Sequence, residues 1–189
     1  MRCVREQSFQ DWELLVVGDA CAEETCRAVA AMDDPRIRYI NLPENCGEQS
    51  GPNNEGLRQA RGKYIAFVNH DDMWFPDHLA RSLEHLEVTG ADLVFSAGLS
   101  VEANSSLRVI AVSEGECYEP NIFAGASSWV FRRELIARVG YWHNYRECFL
   151  APSQDWLFRA WRAGAVLRGL PEVNWIAIMS GIRTGSYAG

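Results

Sequence analysis

Two adjacent acids, Asp71 and Asp72, follow an apolar run that reads YIAFVN at residues 64–69. Carboxylate oxygens are ligands that Mg²⁺ and Mn²⁺ prefer, and a cation held in this way can also bind a diphosphate. It would neutralise the charge that develops on phosphate oxygens when a diphosphate departs. A structural alternative is that one acid caps the helix that enters at Pro76. The pair therefore predicts either a divalent-cation site or a helix cap.

Two further acids occupy positions of chemical interest. Asp19 ends the apolar run ELLVVG at 13–18, and Asp155 lies in the sequence SQDW. A carboxylate in the position of Asp155 could accept a proton from a hydroxyl group. It could also be a plain first-turn acid that interacts with the dipole of its helix. Spacing alone leaves both interpretations of Asp155 open.

The elements that must position these acids alternate along the first hundred residues. Apolar runs that predict strands lie at 13–18, 37–42, 64–69 and 91–101, and helix-like segments separate them. This alternation predicts an α/β fold with a mostly parallel sheet. Ligands bind such sheets beyond the carboxyl ends of the strands, where Asp19 and the Asp71–Asp72 pair lie. After residue 100 the pattern becomes β-rich, with two short helices near 133–139 and 154–163.

Length and composition limit the class of protein. The chain has 189 residues, of which 48% are hydrophobic and 23% charged, so we expect a single domain over 1–189. A net charge of -7 argues against nucleic acid as a partner. No apolar run is long enough to span a bilayer, and the N-terminus lacks the apolar core of a signal peptide. We therefore expect a cytoplasmic protein without a transmembrane segment.

The cysteines and histidines give no sign of a metal site in the sequence. The six cysteines include no C-x-x-C pair, and the four histidines have no metal-ligand spacing among them. Most of the cysteines are expected to be plain reduced thiols.

Four segments together carry a resemblance to a known family. In chain order they read SFQDWELLVVGDA, ENCGEQSGPNNEGLRQARGKYIAFVNHDDMWFPDHL, SSWVFRREL and SQDWLFRAWRAG. They cover residues 7 to about 164, and their order resembles that of the inverting glycosyltransferases of family 2. The resemblance implies the GT-A fold, a Rossmann-like fold of nucleotide-diphospho-sugar transferases, with 1–100 as the nucleotide-binding part. Residues 101–189 would then form the part that holds the acceptor and the catalytic base.

The resemblance also implies that the first strand is missing. Relatives begin with an apolar strand and a nucleotide-contacting loop, whereas this chain starts at MRCVREQSF, inside the helix that follows them. Omission of a central strand would leave its neighbours without backbone partners. We therefore expect either that the true start lies upstream or that part of the donor site has been lost.

Residues of the donor site follow from the resemblance. Asp19 corresponds to the acid that reads the nucleotide base, and the acid that usually precedes it is Gly18 here. The family's metal-binding D-x-D falls on Asn69 and Asp71. Asp71 is therefore the implied ligand of Mg²⁺ or Mn²⁺, Asp72 is a weaker one, and Asn69 would bind the donor.

Asn54 matches the family's R-N-x-G helix start, with Gly56 in register and Asn53 where an Arg is frequent. Its implied role is contact with the donor, and the alternative is capping of the helix N-terminus.

Asp155 matches the family's catalytic acid, and the Glu that usually precedes it is Gln154 here. The implied role of Asp155 is that of the general base that deprotonates the acceptor hydroxyl. The implied donor is most often a UDP-sugar. The acceptor would be a carbohydrate or a lipid-linked molecule, which is compatible with peripheral association with a membrane.

Two other functions remain open. A degenerate or truncated module could bind nucleotide-sugars without turnover, as Gly18, Asn69 and the missing strand suggest. A dinucleotide-dependent oxidoreductase would share the α/β alternation, but the sequence has no G-x-G-x-x-G after a strand.

Overall fold

The computed structural model describes residues 1–102, 106–111 and 117–178. The helices in these ranges are α1 (Arg2–Arg5), α2 (Glu23–Ala30), α3 (Ser50–Gln59), α4 (His78–Thr89), α5 (Leu135–Val139) and α6 (Pro152–Arg162). The strands are β1 (Leu14–Gly18), β2 (Ile37–Asn41), β3 (Tyr64–Ala66), β4 (Asp72–Trp74), β5 (Leu93–Val101), β6 (Leu107–Ile110), β7 (Trp129–Arg132) and β8 (Leu167–Ile178). No helix among the described residues is long and apolar enough to cross a membrane.

The strands form two sheets. β1 and β2 make a parallel pair in register from Leu14 opposite Ile37 to Gly18 opposite Asn41. The other six strands build one sheet in the order β3-β7-β5-β8-β4, with β6 on β5. β5 and β8 run parallel in this sheet, whereas the other four strand pairs are antiparallel.

The larger sheet is therefore mixed, and the prediction of a mostly parallel sheet is wrong in this respect. The reason lies in the β-rich second half of the chain. β7 inserts antiparallel between β3 and β5, and β8 lies on the other side of β5. β8 alone joins this sheet parallel to β5, after the helices α5 and α6, whereas β3, β4, β6 and β7 pair antiparallel with their neighbours.

Two hydrophobic clusters make up the core. One surrounds the fully buried Trp129, Phe131 and Trp156, and the other contains Leu86 and Trp175. Each cluster combines residues from before and after residue 100. Burial of large aromatic side chains supplies much of the driving force for folding, about 25 cal/mol for each Å² of apolar surface removed from water.

Helix α4 begins later than the sequence suggests. It starts at His78 with Asp77 as its N-terminal cap residue, and it ends at Gly90, which adopts the left-handed conformation with φ of 64°. Asp71 and Asp72 lie upstream, and Asp72 is the first residue of β4. The helix-cap interpretation of these two acids is therefore wrong.

Candidate functional site

A hydrogen-bonded triangle holds the turn between β3 and β4. Asp72 Oδ2 accepts hydrogen bonds from Ser127 Oγ at 2.5 Å and from Asn69 Nδ2 at 3.0 Å. Ser127 Oγ also accepts from the backbone N–H of Asn69 at 3.0 Å. Burial raises the pKa of Asp72 above its usual value, and the charge of Asp71 raises it further, against the lowering effect of the two hydrogen bonds. Asn69 and Asp72 are thus brought together, with half-buried Asp71 between them in sequence.

The chemistry of this turn fits a hard divalent cation. Asp71 and Asp72 supply carboxylate oxygens, which suit Mg²⁺ and Mn²⁺. The charge of one acid raises the pKa of the other, so a cation bound here would relieve their mutual repulsion. Asp72 Oδ2 already accepts two hydrogen bonds from the protein, which suits a supporting role.

Asp19 is fixed at the carboxyl end of β1 by the loop that follows β2. Its two carboxylate oxygens accept hydrogen bonds from the backbone N–H groups of Cys46, at 2.7 Å, and Gly47, at 3.0 Å. The side chain of Asn45 donates to the backbone oxygen of Asp19 at 3.0 Å. These contacts set the orientation of the carboxylate at the sheet edge where ligands of α/β folds bind.

The position before Asp19 has no room for an acid. A Cβ atom on Gly18 would lie 2.6 Å from both Asn41 Oδ1 and Tyr39 Oη. Asn41 is held in place because its side chain exchanges hydrogen bonds of 2.9 Å with the backbone N–H and C=O of Cys21. Its amide therefore occupies the space that a side chain at residue 18 would need.

Asn54 lies within helix α3, and its side chain is engaged by a distant loop. Asn54 Nδ2 donates to the carbonyl oxygen of Trp142 at 2.9 Å, and the N–H of Trp142 donates to Asn54 Oδ1 at 2.8 Å. The residue at the N-terminal cap of α3 is Gln49. The helix-cap alternative for Asn54 is therefore wrong, and the observed contact joins α3 to the segment after α5.

Asp155 lies in the first turn of α6 beside two basic side chains. Arg159 Nε donates to Asp155 Oδ2 at 2.8 Å, and His143 Nδ1 lies 3.2 Å from the same oxygen. Arg159 also donates to the carbonyl oxygens of Val139 at 2.6 Å and Tyr141 at 2.8 Å. The guanidinium thus fixes the carboxylate and the chain that precedes His143 at the same time.

One short segment connects the turn that holds Asp72 with the helix that holds Asp155. Ser127 contacts Asp72, and the carbonyl oxygen of Ala124 accepts a hydrogen bond of 2.8 Å from Gln154 Nε2, on the residue before Asp155. Gln154 is buried. Segment 124–127 therefore contacts both the turn of the predicted cation ligands and the helix of the predicted catalytic acid.

Sequence reasoning missed three residues that organise this site. Arg159 stands four residues after Asp155, a spacing that places the two on one face of a helix and could have revealed the pair. Ser127 and His143 reach their acids only through the folded chain, because 55 residues separate Ser127 from Asp72. No local pattern in the sequence marks either of them.

A sequence profile of the family described as "Glycosyl transferase family 2" matches residues 1–140. The chain belongs to this family. Among curated relatives, the succinoglycan biosynthesis protein ExoO of Rhizobium meliloti (strain 1021) is 42% identical over 81 residues. This match covers 43% of the chain and 23% of ExoO, so the chain spans less than a quarter of that relative's length.

Solved structures of low sequence identity share the fold. S. aureus TarS 1–349 in complex with UDP-GlcNAc superposes with a TM-score of 0.76 at 19% identity, covering 94% of this chain and 53% of TarS 1–349. The mannosyltransferase PcManGT from Pyrobaculum calidifontis, in complex with GDP-Man and Mn²⁺, gives 0.75 at 20% identity, covering 97% of this chain and 52% of that protein. The predicted GT-A fold is confirmed.

Proposed function

We propose that this chain transfers a sugar from a nucleotide-diphosphate sugar to an acceptor hydroxyl, with inversion at the anomeric carbon. The observation that carries the proposal is the attachment of the Asp72 turn and the Asp155 helix to one segment, residues 124–127. Inverting transfer needs a site for the leaving diphosphate and a base for the acceptor close to the same sugar. Membership of family 2 and the shared GT-A fold support this function.

The donor site would consist of Asp19, Asn69 and Asp71. Asp19 would accept a hydrogen bond from the nucleotide base, because each carboxylate oxygen has more than one acceptor site and can serve a ligand besides a backbone N–H. Asp71 would be the main ligand of Mg²⁺ or Mn²⁺, with Asp72 in support. The bound cation would neutralise charge on the departing diphosphate. Asn54 would act by positioning Trp142 and the segment that follows.

Asp155 would be the general base. It would remove the proton of the acceptor hydroxyl as that oxygen attacks the anomeric carbon, while the nucleoside diphosphate departs from the opposite face. Arg159 orients Asp155 through the bond from Nε to Oδ2, because its other nitrogens are fixed on backbone carbonyls. A base whose orientation is fixed before the substrate arrives costs less reorganisation during the reaction.

The donor and acceptor are proposed by class. The TarS structure contains UDP-GlcNAc and the PcManGT structure contains GDP-Man, so uridine and guanosine diphosphate-sugars are the first donors to test. ExoO is described as a succinoglycan biosynthesis protein, which supports a carbohydrate acceptor.

Calorimetric titration with UDP and GDP, each with and without Mn²⁺, tests the donor site. We expect Mn²⁺-dependent binding that Asp71→Ala abolishes and Asp155→Asn retains. A transfer assay with radiolabelled donors should then show activity in the unchanged chain and none in Asp155→Asn. Equal transfer rates in the two proteins would refute the assignment of the base.

A binding module without turnover is the second candidate. Two observations favour it: the space for an acid at residue 18 is filled by Asn41, and the amide of Asn69 donates to Asp72 where relatives have an acid. Nucleotide binding without transfer to any acceptor, by a chain that is folded, would support this candidate. Measurable transfer would exclude it.

A further inference from the structure

Three potential metal ligands of different chemistry meet beside the N-terminus of α6. One ligand atom each of His143, Cys148 and Asp155 lies within 4.8 Å of the other two, the only such cluster of three or more among the described residues. His143 Nδ1 and Asp155 Oδ2 are 3.2 Å apart. Two ligands of one tetrahedral Zn²⁺ are about 3.3–3.8 Å apart, given bond lengths of about 2.0–2.3 Å. Small side-chain movements would therefore bring all three ligands onto one cation.

The chain that carries His143 and Cys148 is held from two sides. Ser50 Oγ lies 2.7 Å from the carbonyl oxygen of His143, and the neighbouring Trp142 is held by Asn54. Between the two ligands, Asn144 Oδ1 accepts a hydrogen bond of 3.0 Å from the backbone N–H of Arg146 and caps a short 3₁₀ turn. Fixed ligands lose less conformational entropy when a metal binds.

The charges around the thiol also favour a cation. The carboxylates of Asp155, Glu147 and Glu48 lie near the Cys148 thiol, as does the guanidinium of Arg159. Three negative charges against one positive charge make this a place where a divalent cation gains Coulomb energy. Asp155 Oδ2 has more than one acceptor site, so it can keep the hydrogen bond from Arg159 Nε and also face the cation.

We propose that His143, Cys148 and Asp155 form a Zn²⁺ site with a fourth position open to water or a ligand. Imidazole and thiolate favour Zn²⁺ over Mg²⁺ or Mn²⁺, so this site differs in selectivity from the Asp71–Asp72 turn. Binding releases the thiol proton to solvent and involves no redox change. If Asp155 is the general base, which rests on the proposed function, bound Zn²⁺ occupies that carboxylate and inhibits transfer.

Co²⁺ is a suitable probe because a thiolate ligand gives an intense charge-transfer band. Titration of the reduced chain with Co²⁺ should produce this band at one equivalent, and Zn²⁺ should displace it. Cys148→Ser should lose the band and bind Zn²⁺ at least about tenfold more weakly, and His143→Asn should also weaken Zn²⁺ binding. Cys26→Ser is the matched control, because Cys26 is exposed on α2 and should leave the band unchanged. A band that persists in Cys148→Ser, or no band in the unchanged chain, would overturn the site.

The inhibitory effect is measured separately, by titrating Zn²⁺ into the transfer assay at constant Mn²⁺. The unchanged chain should lose activity over the same Zn²⁺ range in which the Co²⁺ band is displaced, and Cys148→Ser should need at least about tenfold more Zn²⁺, relative to its own uninhibited rate. A Co²⁺ charge-transfer band in a chain that transfers no sugar would refute the proposed function but support the Zn²⁺ site. Sugar transfer without a Co²⁺ band would refute the Zn²⁺ site but support the proposed function.

Discussion

Asn54 and Trp142 exchange two hydrogen bonds, of 2.9 and 2.8 Å, across 88 residues of sequence. Asn54→Ala should lower the free energy of unfolding by about 1–3 kcal/mol, because the backbone N–H and C=O of Trp142 lose their partners. Urea unfolding followed by tryptophan fluorescence would measure the loss.

Asn53→Ala is the matched control for this change. It makes the same substitution one residue earlier on α3 and carries the same gain in helix propensity. We expect little change in its stability. If the two variants unfold at the same urea concentration, the pair of hydrogen bonds contributes nothing measurable. A folded Asn54→Ala chain that still binds nucleotide with unchanged affinity would assign Asn54 to positioning and exclude direct donor contact.

Arg159→Lys should reduce the rate of transfer by about tenfold or more and leave nucleotide affinity unchanged. A lysine has one ammonium group and cannot hold Asp155, Val139 and Tyr141 together as the guanidinium does. Separate measurement of kcat and donor Kd distinguishes lost orientation of the base from loss of the donor site. Arg162→Lys, on an exposed position of the same helix, is the control. Parallel losses in the two variants would contradict the role given to Arg159.

His78 should make the protein less stable as the pH falls below neutral. Burial lowers the pKa of His78 from 6.5 to about 4, while its Nδ1 lies 2.8 Å from Asn174 Oδ1. The unfolded chain therefore takes up a proton that the folded chain does not between about pH 6.5 and 4. Stability from this group is fully present above pH 6.5 and is lost through that window.

The free energy of unfolding at pH 7 and pH 5 measures this effect. His78 should account for a loss of about 2 kcal/mol between these two values, at about 1.4 kcal/mol per pH unit within the window. His78→Asn has no group that titrates in this range. Its free energy of unfolding should therefore fall about 2 kcal/mol less than that of the unchanged chain between these two pH values. If the free energy of unfolding falls equally between pH 7 and pH 5 in the variant and in the unchanged chain, folding does not lower the pKa of His78.

Asp72→Asn should stabilise the protein at pH 7 while it weakens Mn²⁺-dependent nucleotide binding. The raised pKa of Asp72 means that its ionised form opposes folding at neutral pH. An asparagine oxygen can still accept the hydrogen bonds from Ser127 and Asn69. The gain in the urea midpoint should disappear below about pH 3.8, where the acid is protonated in both states. A variant that is less stable than the unchanged chain at pH 7 would contradict this account.

Local pattern predicted the main strands and helices of the first hundred residues, but not the short strand β4. The apolar run at 13–18 corresponds to β1, and Gly90 ends α4 in the left-handed conformation that glycine adopts at little cost. β8 was not predicted, because Pro171 interrupts its strand pattern. The register between β5 and β8 shifts at this point, and the irregularity accommodates the proline.

The acids proposed for the candidate site could be named from the sequence, and Arg159 could have been, but the other partners could not. Asp19, Asp71 and Asp155 follow short motifs, so a sequence can reveal them. Their surroundings depend on contacts between distant segments, such as Ser127 with Asp72 and His143 with Asp155. These contacts are set by the positions of β7 and α6 in the fold, which no local periodicity encodes.

The antiparallel insertion of β7 between β3 and β5 limits how this fold can be recombined. A chimera joined near residue 100 would combine β3 and β5 from one parent with β7 and β8 from the other. β7 and β8 would each have to pair with two strands from the first parent. They would also have to complete both hydrophobic clusters. We therefore expect exchange of the segment between β7 and α6 among relatives to disturb the fold less than replacement of the whole second half.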